Sequence, residues 1–316
     1  MIEISEDDVK EVDDVARDIL QFPKEGTSRY QWDCKERDSR YRALFGAPLL
    51  VITATWQLIK NIDNSIEIKH LFWALVFLKV YDTEDTHLRL VGWPKGGKKE
   101  FREKLWRVVK ILAQQKNRVV RLEKRRENAP KRDGFRTVSY IVSDCADFHI
   151  NEPRPFEPKW KSVKFNRPGL KYLIAIAIYS NNICFTAGPY PATESESTIT
   201  KQTLLRHIPR REPIEVDKGP GGDPRLMSPE IGDSRRKRKL KSICRARVEN
   251  VISRIKTFRC MDGRFRHTDS DSEVMMFKHM QCFEAVIVVT QIKFMLKQDD
   301  LFSVPDDMET VTYVMP

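Results

Sequence analysis

The run Leu170–Tyr179 constrains this chain more than any other stretch. It is a near-continuous apolar segment, interrupted by a single cation, Lys171. Such a run predicts a strand covered on both faces rather than one open to water. Asn181-Asn182 supplies a turn and Ile183–Ala187 a return strand, so a hairpin is expected. Upstream, Thr137–Val142 is β-branched and aromatic and reads as a strand ending at Ser143-Asp144. Downstream, Thr198–Ile208 reads as a helix and Ile214-Glu215-Val216 as a short strand, with Asp217 at its end. The expected class is α/β, with a mixed sheet flanked by helices.

The chain ahead of this sheet has a different period. Leu49–Ile59 and His70–Val80 are long apolar stretches without Gly or Pro. Phe101, Leu105, Val108, Val109 and Leu112 recur at helical spacing. The turn Gly92-Trp93-Pro94-Lys95-Gly96-Gly97 separates two of these segments, so a region of three or four helices is expected. A basic linker, Arg118–Arg132, joins it to the sheet. Val9, Val12, Ala16 and Leu20 mark a short terminal helix, expected to be solvated and frayed. After the sheet, Gly219–Lys241 reads as a loop. Val248, Val251, Ile252, Ile255 and Phe258 then define an amphipathic helix, and Phe283–Leu296 a buried one. The expected divisions are an acidic segment at 1–41, a helical region with linker at 42–132, the α/β domain at 133–296 and a tail at 297–316.

Charge narrows the function. Among 316 residues, Lys+Arg number 56 against 45 Asp+Glu, a formal charge of +11. That excess suits a polyanionic partner, nucleic acid above all. No apolar run approaches the roughly 20 residues of a membrane helix, so no membrane association is expected. The first twenty residues hold eight acids and two bases, unlike a secretory or transit leader. Six scattered cysteines without a C-x-x-C fit neither a zinc module nor a disulfide framework, and favour a reducing compartment.

Three carboxylates stand out by position: Asp144 at the end of the first strand, Asp217 at the end of the post-crossover strand, and Glu249 at the head of the amphipathic helix. Neighbouring strand ends would bring the two Asp side chains together, and a helix on that edge would add the Glu. Such a trio repels itself unless a divalent cation intervenes, and Mg²⁺ or Mn²⁺ suits oxygen ligands. Two ions about 4 Å apart are the usual clamp on a phosphodiester. Taken singly, an Asp at a strand end is also a turn former, and a Glu in a first helical turn also a dipole partner.

Six blocks then occur in one order. They are Asp144-Cys145-Ala146-Asp147-Phe148 with Trp160-Lys161-Ser162-Val163-Lys164-Phe165; Gly169-Leu170-Lys171-Tyr172 with Gly188-Pro189-Tyr190-Pro191; Glu215-Val216-Asp217-Lys218-Gly219; Arg245-Ala246-Arg247-Val248-Glu249-Asn250; Lys278-His279 with Phe283-Glu284-Ala285-Val286; and, upstream, Leu71–Tyr81. Over roughly residues 44–303 the chain resembles the PIF/Harbinger-type DDE transposases. The resemblance implies an RNase H-like catalytic domain, a divalent metal and DNA strand cleavage; nuclear localisation is expected separately, from the basic tract Arg235–Lys241 read as an import signal. The resemblance assigns Asp144, Asp217 and Glu249 as catalytic and metal-ligating residues. The chain also departs from the family pattern. Ser197 stands nearest a further family Asp, Pro220 replaces a Tyr, and Lys161 replaces the Tyr of the Trp-Tyr-Ser loop. These changes suggest a decayed or domesticated copy. The competing expectation is therefore a DNA-binding or interaction protein that keeps the fold without the activity.

Contacts to DNA are expected from two places. Eight of the thirteen residues Arg235–Arg247 are basic, and Arg235, Arg236, Lys237, Arg238, Arg245 and Arg247 are candidate phosphate ligands. The same tract also reads as a nuclear import signal. Lys161 and Lys164 lie beside Trp160 and Phe165, either to grip a strand by phosphate contact and stacking or on a loop that the aromatics anchor. With no separate DNA-recognition module visible, a DNA-binding partner protein is a further expected companion.

Overall fold

The computed structural model describes residues 2–21, 34–92, 97–130, 136–155, 157–217, 222–267, 271–301 and 312–314. Residues 93–96 of the turn expected at 92–97, and the Lys218-Gly219 half of the second Asp block, lie outside them. The chain divides into two compact units, and the division is not linear. One comprises Met1–Val119, Ile255–Gly263 and Gln281–Asp299; the other comprises Val120–Arg254, Arg264–Met280 and Asp300–Pro316. The expected domain at 133–296 therefore gives up two segments to the helical unit.

The helical unit holds α1 (Glu6–Leu20), α2 (Cys34–Phe45), α3 (Leu49–Ile59), α4 (Ile68–Val80), α5 (Glu84–Leu90), α6 (Lys98–Gln114), α7 (Lys116–Val119) and α11 (Arg259–Asp262). It is joined by the ends of α10 (Arg235–Lys256) and α12 (Ser272–Met295). Helix α4 is apolar nearly all round and buried from Ile68 to Leu78 apart from Lys69, as a central helix must be. Its rings lock to neighbours on both sides, Phe72 to Phe45 at 4.7 Å and Trp73 to Phe101 at 5.2 Å.

Helix α1 is not frayed. Ser5 and Asp8 close a capping box at its start, and Val12 and Ala16 are fully buried. Asp13 accepts from Tyr41 Oη at 2.7 Å and from Arg17 and Arg37. The acidic composition suggested a solvated helix, but its apolar stripe and one buried acid decide its placement. Among the described residues no single helix is long and apolar enough to cross a membrane.

The second unit is α/β, with an open mixed sheet of six strands flanked by helices. Its strands are β2 (Ile141–His149), β3 (Lys161–Ser162), β4 (Arg167–Ala177), β5 (Ile183–Pro191), β6 (Ile214–Val216) and β7 (Leu226–Met227). β4 lies between β2 and β5, antiparallel to both, and β3 pairs with its start. On its other edge β2 runs parallel to β6, and β6 parallel to β7. The hairpin expected around Asn181-Asn182 and the strand Ile214–Val216 are present. The first strand, however, does not end at Asp144. It continues through five more residues, because Cys145–His149 keep pairing with Leu173–Gly169 of β4.

One face of the sheet, carrying Ile141, Cys145, Leu173, Ala175, Ile214 and Val216, packs on Ile199, Leu204 and Leu205. Those residues lie in α8 (Glu196–Gln202) and α9 (Leu204–His207), into which the expected single helix is broken at Thr203. On the other face, His279 of α12 stacks on Tyr172 and accepts or donates at its hydroxyl at 2.8 Å. Strand β8 (Tyr313–Val314) pairs with β1 (Arg136–Thr137), and the Tyr313 hydroxyl donates to buried Glu215 of β6 at 2.7 Å.

Gly188 sits in β5 with φ 138°, where a Cβ would lie 2.6 Å from Tyr172 Cδ1 and 2.9 Å from the Lys171 carbonyl oxygen. Neither a packed ring nor a paired strand can yield cheaply. Gly188→Ala is expected to cost about 1–3 kcal/mol, measured as a lower urea midpoint at unchanged slope. A midpoint within experimental error of wild type would contradict the close packing at this position.

Candidate functional site

The parallel pairing of β2 with β6 runs through Ile141–Ile214, Val142–Glu215 and Ser143–Val216. The next step of that register sets Asp144 beside Asp217. Alternation of side chains turns both away from the face that packs on α8 and α9, toward α10. Arg245 of α10 donates from its Nη1 to Asp217 Oδ1 at 3.1 Å, whereas the charges that act most on Asp144 are those of Glu196 and Lys164.

Asp144 is largely buried in mid-strand. Burial pushes its carboxyl up from 3.8 to about 6, and the charge of Glu196 pushes the same way. The Lys164 ammonium and the Cys145 backbone N–H, which donates to Asp144 Oδ1 at 2.7 Å, oppose the shift, while Asp217 adds to it. Lys164 stands between the groups. Its Nζ lies 3.2 Å from the Cys145 carbonyl oxygen and 3.7 Å from Glu196 Oε1. Glu196 was not among the sequence candidates. Its signal was local: Ser195 caps α8 by accepting from the Thr198 N–H, which puts the next residue, rather than Ser197, at the site.

Glu249 is exposed on α10. It follows Arg245 by four residues, so the two share one helix face. The three expected acids thus lie within β2, just past the end of β6 and on the exposed face of α10. The residues as placed do not fit a divalent metal centre. Asp217 is engaged by Arg245, and among the described residues no three His, Cys, Asp or Glu side chains come together as a metal-holding group.

The basic tract is not a loop. It forms the first turns of α10, where the Lys237 N–H donates to Ser234 Oγ and the Arg238 N–H to the Ser234 carbonyl. Leu240, Cys244, Val248, Val251 and Ile255 bury one side of that helix. Arg235, Arg236 and Arg238 are exposed. Lys237 lies half-buried, its ammonium 4.9 Å from the Tyr313 ring. Arg247 is not available to DNA. It is 2 % exposed and donates to the carbonyls of Ala177 and Ser180 at 3.3 and 2.6 Å. Helical periodicity turned it inward although its neighbours in sequence face out.

Lys161, at the start of β3, and Lys164, in the β3–β4 turn, are exposed. Trp160 is buried at 2 %, so it anchors the loop and offers no stacking surface. Ser162 holds the same loop to buried Asp147. Comparison of the chain with protein-family models, with curated proteins and with solved structures finds no match.

Proposed function

We propose that this chain is a DNA-processing protein of the DDE transposase type, an RNase H-like domain whose chemistry is phosphodiester cleavage. The observation that supports the reading is the parallel β2–β6 pairing, whose register, Ser143 opposite Val216, runs directly into Asp144 and Asp217. The mixed strand order supports the RNase H-like assignment that the resemblance implies. A raised carboxyl in a partly enclosed site is a further mark of function over structure. Lys164, Arg245 and the exposed cations at the head of α10 offset the repulsion between these acids and a phosphate backbone.

The test is nicking of supercoiled DNA in Mg²⁺ or Mn²⁺. Wild type should nick and Asp144→Asn should not. A second reading, a DNA-binding protein that keeps the fold without cleaving, is favoured by the Arg245–Asp217 pair and by the exposed position of Glu249. Wild type that binds DNA but never nicks would select it.

Both readings require DNA contact through α10. Each phosphate neutralised contributes about −0.9 to the slope of log affinity against log salt. Replacing Arg235, Arg236 and Arg238 with Ala is expected to flatten that slope by up to about 3 units, for all sequences alike. A slope unchanged from wild type would remove the head of α10 from the DNA surface.

A further inference from the structure

The far end of β2 gathers a group of side chains that neither the acids nor α10 account for. The strand ends at His149, opposite Gly169 of β4. Arg167 stands two residues before Gly169, so alternation puts it on the His149 face. Ser162 fixes that face: it pairs with Arg167, and its hydroxyl donates to Asp147, two residues before His149. On the other side the chain that follows α11 joins in parallel. The Phe265 N–H donates to the His149 carbonyl at 2.9 Å, and the Asn151 N–H to the Phe265 carbonyl at 2.9 Å. That bridge pairs Ile150 with Phe265, and one step back it sets Arg264 beside His149. Three chain segments thus deliver Arg167, His149 and Arg264 to one face.

The electrostatics agree with this placement. Burial, then the charges of Arg167 and Arg264, hold the His149 imidazole below its ordinary 6.5, and no acid offsets them. Both arginines are exposed, and neither has an ion-pair partner among the described residues. Elsewhere in this unit Arg125, Arg225 and Lys241 are matched to Glu212, Asp223 and Asp233. Cations gathered on a sheet face without counter-charge lower stability, and an oxyanion supplied from outside reverses that cost. Phe165 completes the group. Its ring lies 5.8 Å from the His149 ring and covers Gly169, where a Cβ would meet Phe165 Cζ at 3.0 Å. Unlike Trp160 it is only half-buried, so part of the ring stays open. Guanidinium groups suit a phosphate, which accepts both prongs of each, and an open ring beside them suits the face of a base. Bases inside a duplex keep their faces stacked on one another, so this combination selects an unpaired strand.

We propose that His149, Phe165, Arg167 and Arg264 form a binding site for a single nucleic-acid strand, with the two guanidinium groups on a phosphate and the rings against an adjoining base. The site lies five residues along β2 from Asp144, about 16 Å at strand rise, and shares no residue with the head of α10. The inference rests on the nucleic-acid reading above and is independent of cleavage. Arg167 from β4 and Arg264 from the segment after α11 are the charged groups that act on His149. A phosphate placed between them favours the protonated imidazole, so occupancy raises the pH at which His149 titrates.

The experiment measures binding of the full chain to a labelled short oligothymidylate and to a labelled duplex, by fluorescence anisotropy. Arg167→Gln and Arg264→Gln, both at exposed positions, should each weaken the single strand by about tenfold or more, the worth of a charge-assisted contact, and the duplex far less. Replacing Arg235, Arg236 and Arg238 with Ala should show the reverse preference. Phe165→Leu, which keeps an apolar cover on Gly169, should weaken oligothymidylate by about fivefold or more and leave an abasic oligomer of the same length unaffected. The imidazole resonance of His149, identified by its loss in His149→Asn, should titrate at higher pH with saturating oligothymidylate than without it.

Single-strand affinity unchanged in both arginine variants, or a His149 titration unmoved by saturating oligothymidylate, overturns this site and leaves duplex binding through α10 standing. Equal losses for duplex and single strand in Arg167→Gln overturn the selectivity for an unpaired strand. A wild type that binds neither oligomer overturns the nucleic-acid reading and this site together.

Discussion

The Glu212→Ala variant is expected to lose about 3–5 kcal/mol of stability, the cost of stranding a buried charge. Glu212 is 2 % exposed and takes both prongs of Arg125, Nε to Oε1 at 2.6 Å and Nη2 to Oε2 at 3.0 Å; Arg126 adds a third bond at 2.8 Å. The Arg125 side chain is itself only 11 % exposed. Removing the carboxylate leaves that guanidinium buried with no counter-charge, whereas Arg126, half open to water, loses little. The contact joins the basic linker to the segment entering β6, so its loss also loosens the strand that carries Asp217. Denaturant melts of Glu212→Ala and of the double variant Arg125→Met/Glu212→Leu separate the terms. The double variant should be markedly milder than Glu212→Ala, because both charges leave together. A Glu212→Ala loss below about 1 kcal/mol, the range of an exposed pair, would refute a buried network here.

Asp144→Asn is expected to do the opposite and stabilise the protein above pH 6. The folded carboxyl titrates at about 6 against an ordinary 3.8, so the folded chain holds the proton more tightly than the unfolded one. Stability is then greatest below the unfolded value, declines as pH rises through about 4 to 6, and stays at the lower level above. A shift of about two units corresponds to about 3 kcal/mol at neutral pH. Asn carries no such proton, so the variant should lack this pH dependence, and its advantage should open between pH 4 and 6. The same substitution is the one expected to abolish nicking. A more stable, inactive variant marks a residue kept for chemistry rather than for folding. Equal melting temperatures at pH 8 would mean that Asp144 is as well solvated as a surface acid.

Much of the sheet was legible because its signals are local. The unbroken run at Leu170–Tyr179, the Asn181-Asn182 turn and the triplet Ile214–Val216 carry their own patterns, and each is where those patterns put it. What failed was non-local. Nothing within Cys145-Ala146-Asp147-Phe148 announces a strand; the opposite strand β4 holds it there. Five consecutive cations at Arg235–Lys239 read as loop, yet the cap at Ser234 and the stripe from Leu240 onward make them helical. Of the expected triad, Asp144 and Asp217 were placed by strand adjacency, which the order of elements predicts. Glu196 entered through the field at Asp144, and Arg245 through a contact across two elements. In the sequence Glu196 is marked only by the Ser195 cap, and Arg245 only as a cation, not as the partner of Asp217.

The interrupted make-up of the helical unit bears on how the chain is born. Its first 119 residues leave the ribosome early, but the unit also needs Ile255–Gly263 and Gln281–Asp299. The last of these arrives roughly 180 residues later, a delay of roughly 10–40 s at 5–20 residues per second. During that interval helix α4, apolar on nearly every side, waits with part of its cover not yet synthesised. Nascent chains stalled before Gln281 should accordingly be held by chaperones and cut readily by protease within 49–112, and those stalled well beyond Asp299 should not.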